Sequence, residues 1–350
     1  MKDTNKPTRA SRSGGKLLYV VHMLLFLSLG FVLGMASIAK FPYFNIPFVV
    51  PSPPSPKPSA PPPPLPPAAP EKPQMGLMSF LPPSGVIVIH NMTDEELFWR
   101  ASMAPKLHRT PYHRVPKIAF LFLVRGDLPL RPLWEYRPKP SEFFAGHQEL
   151  YTIYVHADPS YTGSPPADSV FYGRMIPSQK TKWGDVSLVE AERRLLASAL
   201  LDPGNARFVL LSEACIPGAQ WFEMDRALAL ESVADERCFP AFRDFCVGRS
   251  ECLIDEHYLP TLVSMLGWGR RNANRTLTYA DWKRAVNRHP HTHAGEEVTE
   301  ALIRGIREDG GGRCFYNGAR SGICNLFARK FAPDALEPLL RVAPKVMGFG

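Results

Sequence analysis

Three short apolar runs and one much longer one set the layout of this chain. Pro116 introduces KIAFLFLVRG, an unbroken apolar stretch that stops at Gly126, and Leu150 to His156 reads LYTIYVH before Ala157-Asp158-Pro159. Phe208 to Leu211 follows in RFVLLSEACIPGAQ, closed by Pro217 and Gly218. Each run is too short for a helix and lacks polar alternation, as strands buried on both faces do. GVIVIH, from Gly85, is a further strand candidate, and Thr93 is placed to cap a helix over DEELFWRASM, with three acids in its first turn. Between Trp183 and Leu201 the period becomes helical. Val189, Leu195, Leu196, Ala199 and Leu200 share one face, with Glu190, Glu192, Arg193 and Arg194 mostly outward, and Leu201-Asp202-Pro203-Gly204 stops the helix. Strands alternating with a helix imply a parallel, doubly wound sheet covered on both sides. In the second half, helices are expected at 223–233, 255–266, 279–286 and 296–307, then a strand near 323–327 and a short helix from Leu336 to Arg341.

The longest apolar run lies elsewhere. Leu17 to Ala39 contains no Asp, Glu, Lys or Arg and follows Lys2, Lys6, Arg9, Arg12 and Lys16. It is long enough to cross a bilayer as a helix, and longer than the roughly 7 to 15 apolar residues of a cleaved signal peptide. Basic flanks stay cytosolic, so an uncleaved signal anchor puts everything after Lys40 on the luminal side. The sequons Asn91-Met92-Thr93 and Asn274-Arg275-Thr276 agree with that side. So do six cysteines, Cys215, Cys238, Cys246, Cys252, Cys314 and Cys324, an even number suited to disulfides with no CxxC spacing that would suggest zinc. Of the 37 prolines many fall between Pro47 and Pro83, a composition that cannot bury a core and implies an extended stalk. The formal charge is +8, but its basic residues are dispersed rather than gathered into the runs of a nucleic-acid arm.

Familiar catalytic strings are missing: there is no GxSxG, HExxH, GxxxxGK[ST] or DxD. His289, His291 and His293 in RHPHTH could ligate a metal, though histidines in such a polar loop are more often solvated. What is left is a set of strand ends. Val124-Arg125-Gly126, His156-Ala157-Asp158 and Ser212-Glu213 would gather along one sheet edge, where nucleotides bind. Asp255-Glu256-His257 opens a helix, and Arg329-Lys330 follows the last strand. A carboxylate for proton abstraction and cations for a diphosphate leaving group are what a metal-free glycosyl transfer needs. Taken singly, an acidic pair at a helix start is usually capping and an Arg-Lys pair is usually surface.

The ordered strings KIAFLFLVRGDLPLRPLWE, LYTIYVHADPSY, VFYGRMIPSQKTKWGDVSLVEAERRLLASALLD, RFVLLSEACIP, QWFEMDRALA, DEHYLPT, NANRTLTYADW and NLFARKFAPDALEPLLRVAPKVMGF resemble the plant Core-2/I-branching β-1,6-N-acetylglucosaminyltransferase-like family, from about Asn91 onwards. That resemblance implies an α/β, GT-A-like, Rossmann-type mixed sheet flanked by helices, behind an N-terminal transmembrane helix and a Pro-rich stem. The layout becomes a cytosolic tail (1–16), a signal anchor (17–39), a luminal stem (40–84) and a catalytic domain (85–350) of a type II Golgi membrane protein. It implies inverting transfer from a UDP-sugar to a glycan or glycoprotein without metal or other cofactor, and no nucleic-acid partner. Carried over residue by residue, Glu256 is the general base and Lys330 binds the donor diphosphate. Arg320, shifted by one from the usual Asn-Gly-Arg order, is a second diphosphate cation, with Arg313 behind it. Arg125, Asp158 and Glu213 are the nucleotide contacts, and Trp183 lines the donor side or the core. Two departures stand out: an apparent insertion, YRPKPSE, after LWE, and the loss of several tens of residues after Pro217. The lost segment forms part of the acceptor side of the cleft in relatives, so a catalytically silent member that keeps nucleotide binding and acts as a binding or assembly partner is the alternative.

Overall fold

The computed structural model describes residues 90–103, 114–135, 144, 147–216, 222–249, 251–272, 276–287, 289–308, 314–316 and 319–346. The expected signal anchor and stem, the strand expected from Gly85, the YRPKPSE insertion, Asn274, Arg313 and the junction after Ile216 lie outside them. Among the described residues no helix is long and apolar enough to cross a membrane.

The chain opens with α1 (Asp94–Ala101), started by the expected cap: the Thr93 hydroxyl accepts from the Glu96 N–H and the Glu96 carboxylate from the Thr93 N–H. The strands β1 (Lys117–Leu123), β2 (Tyr151–His156) and β3 (Asn205–Ser212) follow where the apolar runs placed them. They join in the order β2-β1-β3-β4, where β4 (Glu223–Asp225) adds an antiparallel edge to three parallel strands. The sheet is therefore mixed, with a parallel centre. Alternation of apolar residues explains its two-sided burial. Ala119, Leu121 and Leu123 of β1, with Phe208 and Leu210 of β3, pack on one face, under α3 (Val186–Leu200). Phe120, Phe122, Val209 and Leu211 face the other way, into an aromatic layer of Phe144, Phe171 and Trp134, the last residue of α2 (Arg131–Trp134).

The expected polar face of α3 does not exist. Glu192, Arg193 and Arg194 are 4%, 8% and 3% exposed, because α3 is enclosed by the sheet, α1, α4 (Arg226–Val233) and α6 (Ile254–Met265). Each buried charge meets a neighbour. Arg194 grips Asp94 of α1 with both ends of its fork, at 2.7 and 2.6 Å. Arg193 donates to the carbonyls of Ser232, Val233 and Asp235 at the C-terminal end of α4, where the helix dipole favours a cation. Glu192 lies where Asp255 of α6 acts on it.

The second half is less regular. The helix expected at 279–286 is instead β5 (Thr278–Ala280) followed by turns, and α5 (Cys238–Cys246) was not foreseen. The late strand β8 (Phe327–Arg329) begins further along than expected and pairs in parallel with β5. β6 (Cys314–Tyr316) and β7 (Ala319–Ser321) make a hairpin. α7 (Glu300–Glu308) and α8 (Leu336–Val346) cover β8 with Ile303, Ile306 and Leu339. Four of the six cysteines are paired, Cys246 with Cys252 and Cys314 with Cys324, while Cys215 and Cys238 are free and buried.

Candidate active site

Three parallel strands that run in register must end together. Leu123 of β1 stands opposite both His156 of β2 and Ser212 of β3, so Arg125, Asp158 and Glu213 emerge along one edge. Arg125 Nε lies 3.2 Å from Glu213 Oε1, with Arg125 94% exposed. Asp158 stands at the far end of this edge, its carboxyl below the usual range because the Ser160 hydroxyl and N–H both donate to it. Between these ends lies a small pocket lined by Gly126, Asp127, Arg131, Ala157, Tyr161 and Met175. Gly126 matters here, since a Cβ would come 3.3 Å from the Tyr161 ring.

The end of β8 is zipped onto the end of β3. Ile216 pairs with Ala328, and the Phe331 N–H donates to the Ala214 carbonyl at 3.2 Å. This carries Arg329 and Lys330 to the same edge. Burial lowers the Lys330 ammonium's pKa, and Arg329 and Arg125 lower it further, while Glu213 and Cys215 oppose the shift. Among the described residues the Lys330 side chain has no hydrogen-bond or ion-pair partner. Arg329, also lowered by burial, is acted on by Cys215, Glu256 and Asp255. Three cations thus converge on one place, with Glu213 beside Arg125 and Lys330, and Glu256 and Asp255 beside Arg329. Clustered cations in a partly dry site form a receptor for a multiply charged anion.

The remaining side of the site is the first turn of α6. Leu253, which precedes it, is held in the left-handed region at φ 41°, a conformation costing a branched residue about 1–3 kcal/mol. The Cys246–Cys252 disulfide closes the loop just before it. Asp255 and Glu256 then diverge. Asp255 is half-buried, its Oδ1 has no partner among the described residues, and burial, with Glu256 adding, raises its pKa. Glu256 is exposed. Glu256 is thus open to a substrate, while Asp255 faces inward towards Glu192.

Cys215 was absent from the sequence-derived site, as was any role for Arg329 beyond its place beside Lys330. The Cys215 thiol is raised by burial, despite hydrogen bonds with the N–H and hydroxyl of Ser212. Arg320 stands exposed on β7 opposite Phe315, and no interaction joins it to the cation cluster among the described residues. Trp183 is 53% exposed with its ring against His289, 5.4 Å between centroids, which excludes the core role.

The histidine string is only partly solvated: His289 is exposed. His293 is fully buried, and His291 Nε2 donates to the Glu297 carboxylate at 2.9 Å. Ligand atoms of His291, His293 and Glu297 lie within 4.8 Å of one another. A guanidinium already occupies that space: Arg284 donates to Glu297 and, at 3.3 Å, to His293 Nδ1. A metal ion there would have to displace a cation that balances the carboxylate, so the donor set fits a metal poorly.

A family model described as Core-2/I-branching enzyme matches residues 118–218 and 217–307. The two matched stretches meet at 217–218, where the expected segment is missing. The chain is 28% identical over 309 residues to "Glycosyltransferase BC10" of Oryza sativa subsp. japonica, covering 64% of this chain and 76% of that protein.

Proposed function

The chain belongs to the Core-2/I-branching enzyme family of glycosyltransferases, and we propose that it transfers a sugar from a UDP-sugar to a glycan or glycoprotein, inverting the anomeric carbon without a metal. The observation that carries this reading is the convergence of Arg125, Arg329 and Lys330 opposite the exposed Glu256. Glu256 takes the proton of the acceptor hydroxyl as that oxygen attacks the anomeric carbon. The bond from that carbon to the phosphate oxygen breaks, and UDP leaves with the electron pair. Lys330 and Arg329 meet the charge that develops on the diphosphate. Arg125 joins them at small cost, because an exposed ion pair such as Arg125–Glu213 is worth only about 0–1 kcal/mol. We assign Arg329 the diphosphate role expected of Arg320. Asp158 and the pocket beside Gly126 serve the nucleoside. We place this chemistry in a GT-A-like domain on the luminal side of a Golgi membrane, with Leu17 to Ala39 as the anchor.

The test is turnover by the full-length protein against a panel of UDP-sugars and acceptors in EDTA. Glu256→Gln is expected to lower kcat by roughly 10²–10⁴-fold while UDP still binds. Loss of turnover in EDTA sinks the metal-free mechanism. The two-part family match favours a second reading, a member silenced by the missing segment. UDP binding without turnover, reversed by inserting a relative's segment after Pro217, would establish it.

A further inference from the structure

The backbone of Lys330 is held from two sides, and only one of them is the main sheet. On one side its neighbours Ala328 and Phe331 are bonded to Ile216 and Ala214, just beyond β3. On the other is the histidine string: the His293 N–H donates to the Lys330 carbonyl at 2.8 Å, the Lys330 N–H to the His291 carbonyl at 3.4 Å, and the Ala332 N–H to the His293 carbonyl at 3.0 Å. Residues 291–293 thus run parallel to 330–332 and bridge to them at His293 and Phe331, with the His293 ring stacked on Phe331 at 5.0 Å.

What gives this string its own shape is a closed polar network. Glu297 accepts from His291 Nε2, from the Ala294 N–H at 2.8 Å and from Arg284. Arg284 Nε donates to Asp281 Oδ2 at 2.7 Å, and the Asp281 carbonyl accepts from the His291 N–H at 2.9 Å, closing the ring. Glu297 is held at a pKa of about 2, led by its bond to His291. It is an obligate acceptor, so His291 Nε2 carries a proton. Arg284 can only donate, so His293 Nδ1 accepts and that ring is neutral with its proton on Nε2. The bonds of Glu297 and Arg284 thus have determined directions, while the buried His293 Nε2 has no partner among the described residues.

We infer that Glu297 and Arg284 are positioning residues for Lys330, holding its ammonium at the donor diphosphate through the backbone of residues 291–293. The inference rests on the reading of Lys330 given above. Their side-chain bonds run to Asp281, to each other and to residues 291–294, so their loss should act on phosphate recognition through residues 291–293 and spare the nucleoside.

Binding of UDP and of uridine to the full-length protein separates the outcomes. Glu297→Gln should weaken UDP by roughly tenfold and change uridine by less than about twofold. Arg284→Gln should do the same, and because Arg284 is half-exposed it serves if Glu297→Gln does not fold. Val233→Ala, in the core on the far side of α3, controls for a general loss of stability and should leave the UDP-to-uridine ratio unchanged. If Lys330→Ala leaves that ratio unchanged, the phosphate role of Lys330 falls and this inference with it. If Lys330→Ala collapses the ratio while Glu297→Gln and Arg284→Gln do not, or if they weaken both ligands equally, the positioning role alone is overturned.

Discussion

Glu192→Gln probes the interior directly behind the candidate base. Glu192 is 4% exposed in the middle of α3, and burial first, then Asp255, push its carboxyl well above the ordinary range. Glutamine keeps its shape and cannot ionise. A folded-state pKa above the unfolded value means that Glu192 contributes its full stability below about pH 4.5 and loses it as pH rises towards the folded value. One proton sets the slope at no more than about 1.4 kcal/mol per pH unit. Between about pH 5 and pH 7 the wild type therefore forfeits up to about 2.7 kcal/mol relative to the variant. For a domain of this size that is several degrees of melting temperature. Asp255 titrates in both proteins, among Glu256, His257 and Arg329, and its repulsion of Glu192 disappears in the variant, which acts in the same direction. Urea unfolding of both proteins at about pH 5, 6 and 7 should give nearly equal stabilities at the lowest pH and a widening advantage for Glu192→Gln above it. A difference that is flat with pH, or a variant less stable at neutral pH, would refute the reasoning.

Asp94→Asn should destabilise the fold by about 3 kcal/mol in the same assay, since it leaves the nearly buried Arg194 without its counter-charge; a loss under about 1 kcal/mol would mean that water reaches the pair. His156, lowered to about 4 by burial, is neutral when folded, so stability should fall as pH drops from its ordinary 6.5 towards 4; His156→Gln should flatten that limb of the pH profile. Thiol titration should find no reactive cysteine in the native protein and two, Cys215 and Cys238, after unfolding without reductant. Asn91 is exposed just ahead of α1, and when the protein is made in a secretory pathway an N-glycosidase should remove a glycan that Asn91→Gln lacks; equal masses for the two would argue against a luminal domain.

Much of the site was legible before folding because some signals are local. Glu256 stands in an acidic pair at a helix start, and Arg125 and Glu213 directly follow apolar strands, so their place at a strand end needs only a count of residues. Arg329 was named only as Lys330's neighbour, since its nearness to Glu256 depends on how β8 meets α6. The histidine string misled for the same reason. In sequence RHPHTH is a polar loop, yet His293 is buried because Phe331 and the backbone of Lys330 arrive from the other end of the domain. Polarity predicts exposure only while no partner is available, and partners come from distant residues.

By itself the sequence determined the sheet and the family. Apolar residues on both faces of β1 and β3 leave no alternative to two-sided burial, and the ordered strings carry the kinship. Only the tertiary structure decided which charges meet. The enclosure of α3, which turns Arg193 and Arg194 into internal ties, follows from four elements closing around one helix. The cation cluster joins residues 125, 329 and 330 through a β3–β8 contact that no local pattern encodes. Hydrophobic periodicity is a property of neighbours along the chain, whereas electrostatic partnership is a property of neighbours in space.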